Sequence, residues 1–258
     1  MFLGIDHLVI AVADPVVAAA ELASALGLEA TSGGRHEALG TYNRLTWFGD
    51  SFVELIGVFD RALASESWLG PPTLDALDAG GGFVTWAIAT DSLERDARAL
   101  RATGADLTAP IDGERRRPDG ALVRWRLSKP RRLGPAEPPF MIEHDPASAE
   151  WTPADRAARA RQNHPIGGPV RLEVLELPVD DMGATIQRLT RSAGLRFRPS
   201  LAGGGARDAD VGDQTVRLRP TRGRSRLEIP VIRLVVRATI KATTREQLGC
   251  RWVLRSTN

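Results

Sequence analysis

The chain opens on an apolar run, Gly4 to Ala13, that ends at Asp14, and an apolar stretch of helical spacing follows as far as Gly27. Asp14 can cap a helix, Pro15 suits its first position and Gly27 suits a left-handed exit, so the pattern predicts strand then helix. The same signals return at Phe83 to Thr90, with a helix opened by Asp91, supported by Glu94 three residues on and closed at Gly104. They return again at Arg171 to Pro178, with Asp180 before a helix that runs through Leu189 to Gly194. The Asp-to-Gly spacings are 13, 13 and 14 residues, and self-similarity of this kind marks a repeated supersecondary unit.

Two or three short strand-like runs follow each helix, the last with a Glu among apolar residues: Phe52 to Ile56 around Glu54, Phe140 to Glu143, and Arg226 to Ile229 around Glu228. Each unit therefore reads βαβββ. A lone unit has one apolar sheet face and too little else to cover it, so units pair and curve around a shared cleft. The expected fold is α+β: paired modules over 1–145 forming a cupped mixed sheet with helices outside, and a linker with a short helix over 146–169. A third module over 170–236 and a loosely attached basic tail over 237–258 complete it. The third module has no partner within the chain on this plan, which predicts either packing on the first pair or a homodimer.

Composition changes little: 43% hydrophobic and 26% charged residues are enough to bury a core. Cys250 is the single cysteine, so an internal disulfide and a Cys-rich zinc site are excluded, and a cytoplasmic location is the expectation. Asp6, His7 and Asp14 interrupt the first apolar stretch, which argues against a signal peptide or membrane span. Net charge is +2, but residues 215–258 hold 11 Arg or Lys against 2 Glu. Those arginines alternate with apolar residues, as in Val216-Arg217-Leu218-Arg219, which is the pattern of a solvated strand face rather than a nucleic-acid grip. No GxxxxGK[ST], GxGxxG after a strand, GxSxG or HExxH occurs, so a nucleotide cofactor, serine hydrolysis and zincin chemistry have no support.

Two stretches carry a family likeness. Gly33-Gly34-Arg35-His36 with Gly40-Thr41-Tyr42-Asn43 and Val53-Glu54-Leu55-Ile56 is similar to the GG-x-H, GT-x-N and LEL pattern of glyoxalase-like domains. Arg117-Pro118-Asp119-Gly120 leading to Trp125, and Pro139 to Glu143, resemble that group's second half. The chain thus resembles the vicinal-oxygen-chelate superfamily of glyoxalase I, extradiol dioxygenases and bleomycin-resistance proteins.

The resemblance implies metal positions at His7, Glu54, Val84 and Glu143, and Val84 departs from the pattern because valine cannot ligate. His7, Glu54 and Glu143 could hold a divalent metal such as Zn, Ni, Mn, Mg or Fe. Lewis-acid chemistry with Glu54 or Glu143 taking a proton would make the protein a lyase or isomerase of a small oxygenated metabolite. Without a metal the same cup is a binding pocket of the bleomycin-resistance kind, and His7 then pairs with Glu54 or Glu143. Trp86, with Trp47 and Trp125, is expected to line the cup or simply fill core. His36 and Asn43 in the Gly-rich stretch are candidates to touch substrate, with turn chemistry as the competing reading. Arg115, Arg116 and Arg117 make a basic turn, and one of them, with Arg117 the first choice, is a candidate to meet a substrate carboxylate, with a solvated hairpin tip as the competing reading. A third reading is an interaction protein that works through the third module and the tail.

Overall fold

The computed structural model describes residues 2–221 and 228–257. The first module is β1 (Phe2–Ala11), α1 (Pro15–Leu26), β2 (Thr31–His36), β3 (Thr41–Phe48) and β4 (Ser51–Val58). Two short helices follow, α2 (Arg61–Glu66) and α3 (Gly70–Asp78). The second module is β5 (Gly82–Thr90), α4 (Leu93–Ala102), β6 (Ile111–Arg116), β7 (Leu122–Ser128) and β8 (Phe140–His144). β1 is parallel to β4, β5 is parallel to β8, and β1 and β5 are antiparallel neighbours. At the far side β2 and β6 meet through one residue pair, Arg35 with Arg116, and this seam closes the cup into a barrel of order β1-β4-β3-β2-β6-β7-β8-β5. The seam requires glycine: a Cβ on Gly34 would lie 2.2 Å from the Arg116 carbonyl oxygen.

Asp14 caps α1 by accepting from the Val16 and Val17 amides, and Gly27 ends it at φ 65°. In the other two repeats the cap falls one residue later than the sequence predicts. Ser92 stands before α4 in place of Asp91, and Asp181 accepts from Ala184 N in place of Asp180. Successive strand residues point to opposite faces, so a one-residue shift in the reference point reverses every face assigned from it.

After α5 (Pro153–Arg159) comes the third repeat: β9 (Val170–Val179), α6 (Met182–Ala193), β10 (Arg198–Pro199), β11 (Arg207–Val211) and β12 (Gln214–Pro220). β12 is parallel to β9 as β4 is to β1, so β12 is the repeat's last strand. Of the strand expected at 226–229, Arg226 and Leu227 lie outside the described residues, and Glu228 stands between β12 and β13 (Val231–Val236). β13 is antiparallel to β9 and parallel to β15 (Cys250–Ser256), which pairs in turn with β14 (Thr243–Gln247). These are the relations of β5 to β1 and β8. Residues 231–256 are a fourth copy reduced to strands, and the segment expected to be a loose tail is paired sheet. Leu248 and Gly249 join β14 to β15 at φ 54° and 68°, the left-handed pair of a tight hairpin.

The second sheet lays one face on the outside of the barrel. Leu175, Leu177, Ile232, Trp252 and Leu254 join Leu8, Ile10, Leu55 and Ile88 of the barrel and Leu22 of α1 in one continuous core. Gln214 stitches the layers: its Oε1 accepts from Ile5 N and its Nε2 donates to Ser51 Oγ. The apolar face that was the reason for expecting a second copy is thus covered within the chain. The opposite face carries the C-terminal arginines, with Arg217 and Arg233 paired to buried Glu176 and Arg217 also to Asp208. No helix among the described residues is long and apolar enough to cross a membrane.

Candidate functional site

The site forms inside the barrel from β1, the β2–β3 region and β4. Opposite β5, Ile5 pairs with Ile88 but Leu8 pairs with Trp86, three residues of one strand against two of the other. Such a bulge re-aims side chains, and here it brings Asp6 alongside His7. The His7 Nδ1 to Asp6 Oδ1 distance is 2.5 Å, and the other Asp6 oxygen is 2.9 Å from Nε2 of His144. Burial alone would raise the pKa of Asp6, but His144 and His7 together hold it well below the usual carboxylate range. Asp6 fixes the His7 ring from behind through Nδ1 and leaves Nε2 turned toward the cavity.

That Nε2 lies 3.8 Å from Oε2 of Glu54. On the other side of the carboxylate, Nε2 of His36 lies 3.8 Å from Oε1. His36 is tethered from behind by Nδ1 to Thr41 Oγ1 at 3.0 Å. Burial pushes its pKa down to about 4, with the Glu54 charge opposing and those of Arg115 and His7 assisting, so the ring is neutral near pH 7. Asn43 donates from Nδ2 to Glu54 Oε1 at 2.6 Å and accepts from the Gly34 amide at 2.9 Å, which fixes the carboxylate. Gly33 makes room for this: a Cβ there would lie 2.1 Å from Asn43 Oδ1.

Around these groups lies a cavity of about 50 Å³, walled by Trp47, Phe52, Trp125, Phe140 and Ile142, with His144, Arg115 and Trp151 also on its lining. The ring of His7 stacks on Phe52 with centroids 4.6 Å apart, and His144 stacks on Trp151 at 3.5 Å. Arg115 is buried and donates to Glu150 Oε2 at 2.5 Å.

The structure brings together His7, His36, Asn43, Glu54 and Trp125 from the residues predicted by sequence. Three others are elsewhere. Glu143 stands opposite Arg126 in the β7–β8 ladder and accepts from Leu93 N at 3.4 Å, on the outer face of β8, so it cannot complete a set with His7 and Glu54. Val9 faces Glu54 and Ala87 faces Phe140 in the matching parallel pairs, which makes Phe140 the counterpart of Glu54. Counting from the Ser92 cap, the counterpart of His7 is Thr85 rather than Val84. Trp86 is fully buried in the core between barrel and second sheet, on the opposite side from the cavity. Arg117 pairs with Asp119 and reaches Glu150 at 3.9 Å from the turn after β6, off the cavity lining. His164 is buried, with Nε2 2.7 Å from the Trp47 carbonyl oxygen.

Sequence reasoning missed Asp6, His144, Glu150 and Trp151, and of the three arginines of the basic turn the cavity takes Arg115. His144 follows Glu143 on β8 and so faces the opposite way, which puts it on the cavity lining.

The superfamily's divalent metals set a test for this donor group. As placed, no three His, Cys, Asp or Glu side chains among the described residues form an ion-enclosing cluster. Ligands of one ion with bonds of ~2.1 Å stand roughly 3 Å apart, closer than the 3.8 Å that separates each imidazole Nε2 from its Glu54 oxygen. The donor types fit: two imidazole Nε2 atoms, each ring held by a hydrogen bond at Nδ1, face separate oxygens of one carboxylate.

The sequence model of the glyoxalase-like domain matches residues 5–193. None of the curated proteins matches the chain. Among solved structures, a hypothetical protein from Staphylococcus aureus is 14% identical, covers 98% of this chain and 99% of its own, and superposes with a TM-score of 0.79. It shares the fold over both sheets. Methylmalonyl-CoA epimerase from Mycobacterium tuberculosis is 23% identical over 55% of this chain and 89% of its own, with a TM-score of 0.41. A hypothetical protein from Bacillus halodurans is 19% identical over 55% and 94%, also at 0.41. With its paired βαβββ modules and this match over most of its length, the chain belongs to the glyoxalase-like domain family of the vicinal-oxygen-chelate superfamily.

Proposed function

We propose that the barrel is the active site of an isomerase or lyase that moves a proton next to a carbonyl in a small oxygenated metabolite. The observation that carries this reading is the convergence of the His7 and His36 Nε2 atoms on the two oxygens of Glu54, each ring tethered from behind. His7, His36 and Glu54 are the residues that would hold a divalent ion, and such an ion supplies Lewis acidity toward a substrate oxygen. Asp6 fixes the His7 ring from behind through Nδ1. Asn43 occupies Oε1 of Glu54 and leaves Oε2 as the oxygen to receive a proton. The aromatic walls exclude water, which strengthens the charges inside.

A second reading has its own support. Thr85 and Phe140 stand where a second pair of ligating side chains would be, so the first module alone supplies candidate ligands, as suits a metal-free pocket that sequesters an amphipathic molecule.

The two readings separate in deuterium oxide. Wild-type protein supplied with divalent metals and a set of small hydroxy- and oxo-compounds is expected to exchange a carbon-bound proton for deuterium, followed by proton NMR. Glu54→Gln should slow the exchange by ~10²–10⁴-fold. Binding of these compounds with no exchange above the protein-free rate would sink the enzyme reading and leave sequestration.

A further inference from the structure

Arg115 has no assigned role and an unusual position. It lies on β6, lines the same cavity as His7 and Glu54, and is only 4% exposed. Its Nη2 is spent on Glu150, but its Nη1 is buried and has no hydrogen-bond partner among the described residues. A buried guanidinium with an unspent donor costs free energy that an anionic acceptor would offset.

Its surroundings also favour an anion. Arg115 and Arg117 share Glu150, Arg117 reaches Asp119, and Arg156 and Arg159 share Asp50. Glu150 is therefore shared between two guanidiniums and does not serve Arg115 alone. Glu150 holds its place at φ 69°, a left-handed conformation that a residue with a side chain rarely adopts, and its carbonyl is gripped by Arg159. Val123, opposite Arg115 across the β6–β7 ladder, adds an apolar wall with Leu45. One charged group and a small body are what such a space admits.

We infer that Arg115 receives the carboxylate of the substrate, so that the metabolite is a small 2-oxo or 2-hydroxy acid whose carboxylate meets Nη1 while its oxygenated carbon faces His7 and Glu54. This specifies the substrate class of the site proposed above and rests on that reading.

Calorimetric titration tests it with matched pairs, pyruvate against pyruvamide and lactate against lactamide, on wild type, Arg115→Met and the double variant Arg115→Met/Glu150→Gln. The double variant removes both members of the buried pair and so keeps the fold from carrying an unpaired charge. Wild type is expected to bind each acid at least tenfold tighter than its amide, and both variants to lose that preference while holding the amide within about threefold. Equal binding of acid and amide by wild type, failure of wild type to bind either acid, or a preference that survives in the double variant would overturn the inference. Metal content measured on the same samples keeps the two proposals apart, because Arg115 is outside the proposed ligand set and its variants should load metal as wild type does.

Discussion

At the scale of single residues, what His36 offers the cavity depends on its neighbours more than on its own chemistry. Full burial beside Arg115 keeps it neutral down to about pH 4, whereas in the unfolded chain it takes a proton near the ordinary value of 6.5. The unfolded state therefore binds more protons between those limits, and stability falls as pH drops through the window. At 1.36 kcal/mol per unit the loss approaches roughly 3 kcal/mol once pH is below 4. Urea unfolding at pH 7, 5.5 and 4.5 should show this slope in wild type and a flatter one in His36→Gln; equal slopes would mean the histidine is not held neutral. His7 and Glu54 were singled out through the family resemblance, and His36 and Asn43 through the Gly-rich stretch that carries part of it. Asp6 was not, because a regular strand would turn it away from His7, and only the bulge against β5 reverses that.

At the scale of elements, faces were misread wherever the reference residue was one place off. Ser92 instead of Asp91 moves the counterpart of His7 from Val84 to Thr85, and irregular pairing along β5 sends Trp86 to the outer core. The strands β14 and β15 escaped notice for a different reason. β14 reads Thr-Thr-Arg-Glu-Gln, an edge strand with no buried alternation, so no hydrophobic pattern announced it. Its partner is anchored all the same, since Trp252 is fully buried in the core shared by both sheets. Trp252→Ala should cost about 3–5 kcal/mol, read as a lowered urea midpoint with unchanged slope. A change under 1 kcal/mol would show that this last segment contributes little to the fold.

At the scale of the molecule, repeat spacing alone revealed three of the four modules and the pairing of the first two. What it could not reveal is how the second pair sits: its apolar face closes on the outside of the barrel, behind β1, so the strand that carries His7 is supported from both sides. The inner face of β1 carries the polar groups of the site, and its outer face is fixed by Gln214 and Ser51. That support allows a buried constellation of two imidazoles and a carboxylate to persist at 3.8 Å spacing without collapsing into the surrounding aromatic rings. The most direct measurement of the account is metal content by elemental mass spectrometry after loading with Zn, Ni or Mn, for wild type, His7→Ala, His36→Ala, Glu54→Ala and Glu143→Ala. The account predicts near one ion per chain in wild type and Glu143→Ala, and loss in the other three. Retention in His36→Ala with loss in Glu143→Ala, or no ion in wild type, would contradict it.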